Sequence, residues 1–238
     1  FPFIIPAMGS HGGGNAVGQE AVLTGYGITE NNMGAPIKSS MDVVELAKLK
    51  DGTPVYCDKL AYEADFIIPI NRIKPHTSFR AEHESGLIKM LAIGVSKHAG
   101  ATALHFHGMG QFSSLLPAAS HVFIANTNIL FGIGMVENAN EEMMHIEMVP
   151  PNDFFDRDAT LLKLAKDSIP QLLFESIDVL VVDEIGKNIS GAGLDPNVTG
   201  RTSSNLPGFD GGVSIQRIVV RDLTDVTEGN ATGIGVAD

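Results

Sequence analysis

Cysteine is almost absent from this chain, because only Cys57 among its 238 residues is a cysteine. A single cysteine excludes an intrachain disulfide, and it also excludes the cysteine sets that hold structural zinc or iron–sulfur clusters. No apolar run reaches the roughly 18 residues that a membrane-spanning helix needs, and no signal-peptide pattern is present. These absences predict a cytoplasmic protein that makes no use of a membrane.

Positive charge is also scarce. The chain has 16 lysines and arginines against 28 aspartates and glutamates, which gives a formal net charge of −12. Such a chain does not offset the charge of a phosphate backbone, so the composition argues against a nucleic-acid partner. An anionic substrate would have to meet a local basic pocket. The hydrophobic content of 44% is that of a folded globular protein with one large or two smaller domains.

Short apolar runs alternate with segments of helical periodicity along the chain. Strands are predicted at the apolar runs PFIIPAM, PVYCDKL, DFIIPI, HVFIANT, SIDVLVVDEIG and SIQRIVVRDL, and at two segments around the ENANEE turn. Helices are predicted at residues 16–24, 86–92 and 110–120 and after Asn152 or Asp153. This alternation predicts an α/β fold with a mainly parallel, Rossmann-like sheet flanked by helices.

The expected domain organisation is that of a piece of a two-domain protein. Residues 1–175 are predicted to form an N-terminal α/β domain that carries the site. Residues 176–238 supply the last strands and loops, as the start of a second α/β domain. Because the sequence opens directly on the apolar FPFIIPAM, we expect further segments of the protein to complete the site.

Histidines are concentrated in residues 71–107, which hold five of the eight in the chain: His76, His83, His98, His105 and His107. This segment follows the predicted strand DFIIPI, and open α/β sheets bind ligands where their strands end. The spacing matches no zinc motif. Taken singly, each histidine is explained as a surface or capping residue, but together they favour a functional site.

Two basic features of the same segment remain open at the sequence level. Lys89, in GLIKMLAIG, either extends its amine to solvent from a helix end or is desolvated and fit for covalent attachment. Arg72, Lys74 and Arg80 form either an anion site or ordinary surface charge. Asp183 and Glu184, at the end of another predicted strand, are either acid–base groups or caps of the next turn.

The glycine-rich turn GSHGGG lies between the first predicted strand and the first predicted helix. It lacks the Walker lysine and does not match G-x-G-x-x-G. It is either a tight turn or a loop whose backbone N–H groups face a ligand. His11 favours the second interpretation, because a turn alone does not need a histidine.

Several of these segments, taken in order, resemble a known family. The segments are PAMGSHGG, KLAYEADFIIPINRIKPH, SGLIKMLAIG and ALHFHG. This set resembles the N-terminal part of the nickel-dependent lactate racemase family. The segments VVDEIGKNISGAGLDPNVTGR and EGNATGIGVAD are similar to a subgroup of lactate-racemase-like proteins of unassigned substrate.

The resemblance implies two α/β domains with a site in the cleft between them. It implies a nickel pincer nucleotide as cofactor and a small 2-hydroxy acid as substrate, which is racemised by hydride and proton transfer. Lys89 would tether the cofactor, His76 would act as the catalytic base, and His105 or, as second choice, His107 would ligate nickel. His11 and Gly12 lie in the turn that would help to hold the cofactor, and Arg72 is a further predicted cofactor contact.

The resemblance is incomplete at two positions. The segment MGAPIKSS has no histidine where the family has a second base, and Gly12 replaces an arginine. Two other functions therefore stay open: a divalent-metal hydrolase or lyase that uses the histidine cluster, and a non-catalytic domain that binds phosphate or a nucleotide.

Overall fold

The computed structural model describes residues 1–209 and 213–238. Within these two ranges seven strands are defined: β1 Val43–Lys48, β2 Pro54–Asp58, β3 Ile70–Arg72, β4 Gly132–Glu137, β5 Met143–Val149, β6 Ser176–Ile185 and β7 Ser214–Leu223. The α-helices are α1 Ala16–Gly25, α2 Glu30–Met33, α3 Lys59–Tyr62, α4 Leu87–Lys89, α5 Lys97–His105, α6 Phe112–Asn126, α7 Phe154–Ser168 and α8 Pro196–Thr199. No helix in these two ranges has the length and apolar character that crossing a membrane requires.

The strands form three small sheets, so the fold is mixed α/β. Strands β1 and β2 make an antiparallel hairpin, β3 and β5 flank β4 in parallel and antiparallel sense, and β6 pairs with β7 in parallel. The mainly parallel Rossmann-like sheet is therefore not confirmed. The run PFIIPAM contributes only an isolated bridge at Ile4, and DFIIPI contributes one at Ile67 ahead of β3. Prolines in both runs, at Pro6 and Pro69, cannot donate to a ladder.

The strand predicted at HVFIANT is wrong, because all of this segment except its last residue lies in α6. Its apolar residues continue the helical spacing of the preceding turns, and Leu116, Ala119 and Phe123 are all fully buried. Tertiary burial thus outweighs the strand preference of Val122 and Ile124. The strands predicted at PVYCDKL, around the ENANEE turn, and at SIDVLVVDEIG and SIQRIVVRDL are confirmed.

The helix that carries Lys89 runs through the centre of the main hydrophobic core. Leu87 and Ile88 in α4 and Leu91 in the following turn have no exposed surface. The turn Met90–Gly94 is a π-helix that follows α4 directly. Single π turns widen a helix locally and are frequent at functional sites. The core thus fixes this helix and places Lys89 at its margin.

A separate apolar cluster lies on β6 and β7, around Ile185, Leu194 and Ile218. The other two clusters draw their residues from positions 5–165 and Leu206. The segment between α7 and β6 joins the two regions. The domain boundary at residue 175 stays a prediction, and the clusters lie largely on either side of it.

Candidate functional site

Four separate elements bring basic side chains to one place. His11 comes from the glycine-rich turn, His76 from the loop after β3, Lys89 from the end of α4 and His105 from the end of α5. Desolvation lowers the pKa of both His11 and His76, and the charge of Lys89 and the presence of His105 lower both pKa values further. The four predicted site residues therefore lie within electrostatic range of one another.

Lys89 is partly buried, and its environment favours the neutral amine. Desolvation, followed by the charge of Lys74, lowers its pKa from 10.5 to about 8. An amine with such a pKa is a usable nucleophile near neutral pH. Of the two interpretations of Lys89, the structure therefore favours the desolvated lysine over one that extends to solvent.

His76 is held by its backbone and by one ring nitrogen. Its amide donates to Glu84 Oε2 at 2.7 Å, and its carbonyl accepts from the Arg80 guanidinium at 2.6 Å. The Ser78 amide donates to Nδ1 at 3.0 Å, and the ring packs on Phe79 with a centroid distance of 4.3 Å. Desolvation, reinforced by Lys89, Lys74, Arg80 and His105, lowers the pKa of His76 to about 3. The ring is therefore neutral at physiological pH.

Glu84 organises the His76 loop, and sequence reasoning missed this role. Its side chain has no exposed surface, and besides the His76 amide it accepts from Lys166 Nζ at 2.6 Å and from the Ala81 amide at 3.3 Å. Arg80 NH1 lies 3.5 Å from its second oxygen. In the sequence, Glu84 stands in a polar stretch that predicts only a helix start. Its role depends on its burial, which the sequence pattern does not reveal.

His105 is oriented by its own helix. Its Nδ1 lies 2.6 Å from the Ala101 carbonyl oxygen, and its ring meets the edge of Phe112 at 5.0 Å. Because a carbonyl only accepts, Nδ1 carries the proton and Nε2 keeps its lone pair. A carbonyl that fixes the tautomer in this way is the usual support of a metal-binding histidine.

His107 lies outside the cluster. Its Nε2 lies 2.8 Å from Thr53 Oγ1, next to Asp51 in the turn between β1 and β2. The structure thus separates the two candidate nickel ligands. Only His105 accompanies His76 and Lys89.

The glycine-rich turn is tightly packed against α1. Gly12, Gly13 and Gly14 all have positive φ, and a Cβ on Gly12 would stand 2.7 Å from the backbone nitrogen of Gln19. The buried Gln19 donates to the Gly9 carbonyl at 2.7 Å. Only glycine suits Gly12, because both the backbone conformation and the close approach exclude a side chain. The backbone of the turn that carries His11 is therefore fixed in its conformation.

Lys187 is a second residue that sequence reasoning missed. It lies in the loop after β6, and its charge contributes to the lowered pKa of His11, after desolvation and Lys89. Among the residues described here, no carboxylate lies within ion-pair distance of Lys74, Lys89 or Lys187. Unpaired ammonium groups make this cluster a basic pocket on an acidic protein.

Arg72 occupies different surroundings. It forms an ion pair with Glu137 at 2.5 Å and, with Lys74, lines a cavity of about 410 Å³ between β3–β5 and the β6–β7 region. His76 and Lys89 do not line this cavity. Arg80 instead reaches the region after β6, donating to Asn197 Oδ1 of α8 at 2.6 Å and stacking over Phe209 at 3.8 Å.

The other candidates have structural partners. His83 forms a buried pair with Asp158 at 3.0 Å, and His98 lies against Gly14. Asp183 pairs with Arg221 on the surface, and Glu184 lines the cavity near Arg72. Within residues 1–209 and 213–238, no group of three or more histidine, cysteine, aspartate or glutamate side chains is arranged to hold a metal ion.

Comparison with known proteins finds one family that part of this chain is similar to. Residues 3–114 match the family model described as lactate racemase N-terminal domain, and this range includes His11, His76, Lys89 and His105. Among solved structures, the lactate racemase apoprotein from Thermoanaerobacterium thermosaccharolyticum is similar, with 13% sequence identity and a TM-score of 0.49. The match covers 68% of this chain and 41% of that chain. No curated protein matches significantly. Residues 3–114 are thus similar to the lactate racemase N-terminal domain, and the chain spans less than half the length of the solved racemase that it matches.

Proposed function

We propose that this chain carries one side of the active site of a 2-hydroxy-acid racemase or epimerase that uses a nickel pincer nucleotide. The observation that carries the proposal is the Lys89 amine, with its pKa of about 8, among neutral histidines and unpaired lysines. Structural lysines are rarely desolvated without an ion-pair partner. Such an environment suits a lysine that reacts covalently.

The residues of the cluster fit this cofactor. Lys89 supplies the amine for a covalent tether, and His105 supplies one free imidazole nitrogen for nickel. A pincer cofactor brings metal ligands of its own, so one histidine of the chain is enough to complete its attachment to nickel. When bound, a cofactor of this type accepts a hydride from the substrate carbon and returns it.

The lysines fit an anionic partner. Lys74 lies in the loop after β3 and Lys187 in the loop after β6. After desolvation and Lys89, Lys74 contributes to the lowered pKa of His76 and Lys187 to that of His11. A 2-hydroxy acid carries a carboxylate, and unpaired ammonium groups bind and orient it. The same groups attract the phosphate of a nucleotide, so the cluster serves both ligands.

Neutral imidazoles fit the proton transfer. Racemisation by hydride transfer requires that the hydroxyl proton leaves as the carbon is oxidised. The lowered pKa values of His76 and His11 keep both rings neutral, and a neutral ring has a lone pair for a proton. The resemblance assigns the proton acceptor to His76.

Covalent attachment is the test of this proposal. The chain would be produced together with the enzymes that make the cofactor, and its intact mass would be measured. We expect a mass increase that is lost in Lys89→Ala and retained in Lys74→Ala, the matched control from the same cluster. Racemase activity in protein of unmodified mass would overturn the assignment, and so would an adduct on the Lys89→Ala variant.

Two other functions predict different results. A divalent-metal hydrolase would contain zinc or a similar ion without a sulfur-bearing chromophore, which metal analysis and absorption spectroscopy detect. The same lysines also suit a non-catalytic domain that binds phosphate. Nucleotides would stabilise such a domain in a thermal-shift assay. A His76/Lys89 double alanine variant of it would keep its full function.

A further inference from the structure

Lys97 has no exposed surface, although lysine is among the residues that are least often buried. Its Nζ donates to the Pro6 carbonyl at 2.5 Å and lies 3.0 Å from Asp58 Oδ2, which is equally buried. Within the described parts of the chain Asp58 Oδ2 accepts no hydrogen bond, so the charge of Lys97 is what offsets the burial of this carboxylate. Stability alone is a weak explanation for such a pair, because well-packed apolar residues often serve a core equally well.

The backbone of Lys97 is strained as well. Its φ is +56°, in the left-handed region that residues with a side chain rarely adopt. A glycine would remove this strain, but it would also remove the ammonium. Strained residues cluster at functional sites, where the surrounding structure holds them in place. Backbone strain and a buried charge thus fall on one residue that no step of the proposed reaction uses.

Lys97 lies between the two helices that carry Lys89 and His105. The π turn Met90–Gly94 follows Lys89 directly, and α5 begins at Lys97 and ends at His105. A left-handed residue interrupts the path of a right-handed helix, so the chain bends between the two helices. The backbone of Lys97 therefore sets the angle between them, and its side chain anchors the bend in the core.

The same bend holds the glycine-rich turn. The Gly9 amide donates to the Gly94 carbonyl at 3.1 Å, and a Cβ at Gly9 would stand 3.0 Å from the Ile93 side chain. The Pro6 carbonyl, which accepts from Lys97, lies just ahead of Gly9 in the chain. One ammonium therefore connects the segment that leads into the glycine-rich turn with the bend between the two helices.

We propose that Lys97 is a positioning residue, which fixes the glycine-rich turn and α5 relative to the helix that carries Lys89. Its importance for turnover rests on the function proposed above. Because Lys97 has no exposed surface, it acts through these elements and does not touch a ligand. Loss of the ammonium would keep the fold and shift the turn and α5 slightly, and a misplacement of about 1 Å can lower turnover about 100-fold.

Three variants separate positioning from stability. Lys97→Met leaves the Asp58 carboxylate buried and unpaired, so we expect a clear loss of stability. Asp58→Asn keeps the side-chain oxygen that caps α3 and leaves the bond from Lys97 to Pro6 in place. The double variant, Lys97→Met with Asp58→Asn, removes both charges, and we expect it to recover most of the stability that Lys97→Met loses.

Turnover should depend on Lys97 and not on stability. Each protein would be produced with the enzymes that make the cofactor, and kcat would be divided by the fraction of chains that carry the Lys89 adduct. We expect kcat to fall about 100-fold in both proteins that lack Lys97, and to stay close to wild type in Asp58→Asn. Wild-type turnover in a double variant of restored stability would show that Lys97 only stabilises the fold. An equal loss of turnover in Asp58→Asn would overturn the inference too.

Hydrogen exchange in the cofactor-free chain tests the positioning apart from the proposed function. The bond from the Gly9 amide to Gly94 makes the exchange of this amide a measure of whether the turn stays on the bend. We expect faster exchange at Gly9 in the double variant but not in Asp58→Asn, with α6 unchanged in both. Unchanged exchange at Gly9 in the double variant would overturn the inference. A wild-type protein without a Lys89 adduct would instead overturn the proposed function and leave this result standing.

Discussion

At the residue scale, the charged amine of Lys89 lowers the stability of the folded protein. Its pKa of about 8 in the folded chain is below the ordinary 10.5, so the folded protein binds this proton more weakly than the unfolded chain does. Below pH 8 the charged amine therefore destabilises the fold. Above pH 10.5 the amine is neutral in both states and the penalty disappears.

Lys89→Met should accordingly stabilise the cofactor-free protein. At pH 7 we expect a gain of about 2 kcal/mol in the free energy of unfolding, after allowance for the partial exposure of the side chain. The gain should shrink as the pH rises from 8 to 10.5. Urea unfolding at several pH values measures it.

The matched control for this prediction is Lys163→Met, the same change at an exposed lysine of α7. It should change stability by less than about 0.5 kcal/mol. A destabilised Lys89→Met protein, or a gain in stability that does not vary with pH, would show that the charged Lys89 amine does not destabilise the fold.

At the scale of elements, the start of α4 depends on a contact between distant parts of the chain. Asp158 of α7 is buried, accepts from His83 Nδ1 at 3.0 Å and lies 3.4 Å from the amide nitrogen of Ile88 in the first turn of α4. A carboxylate at a helix N-terminus stabilises its free amides. The short helix α4, which carries Lys89, is thus held at its start by the Asp158 carboxylate and at its end by the buried π turn.

Gly86→Ala should disrupt this anchor. A Cβ at Gly86 would stand 2.1 Å from Asp158 Oδ1, so the carboxylate would have to leave its buried pair with His83. We expect a loss of about 3 kcal/mol in unfolding free energy, measured by urea titration. Gly25→Ala, at the open end of α1 with no atom within 4 Å of the new Cβ, should cost almost nothing. Equal stability of the two variants would contradict the contact.

At the scale of the whole molecule, Arg80 connects the His76 loop to the region after β6. It donates to the His76 carbonyl and to Asn197, and its guanidinium lies over Phe209. A single side chain therefore links the His76 loop with the region after β6, which also carries Lys187.

Arg80→Ala should release that link while leaving the main core intact. We expect faster amide hydrogen exchange in residues 195–209 and in the His76 loop, with little change in α6 or α7. Arg217→Ala, which removes an exposed arginine of β7, is the matched control and should leave exchange in both loops unchanged. Unaltered exchange in the Arg80→Ala protein would show that Arg80 does not connect the two regions.

The sequence by itself determined most of the helices and strands and the identity of the central residues. Periodicity and turn residues are local properties, so α1, α7, β6 and β7 could be predicted from their own segments. His11, His76, Lys89 and His105 stand in motifs whose order and residue types indicate the family. The roles that these residue types suggest stay predictions from the amino-acid sequence.

Only the tertiary structure decided what depends on distant neighbours. The sheet order, the helical state of HVFIANT and the separation of His107 from His105 follow from packing partners far along the chain. Glu84 and Lys187 gained their roles through burial and proximity, which no local pattern encodes. Lys97 is buried because its ammonium meets Pro6 and Asp58, which are distant in the sequence. Packing partners, and not residue type, therefore decided that this lysine lies in the core.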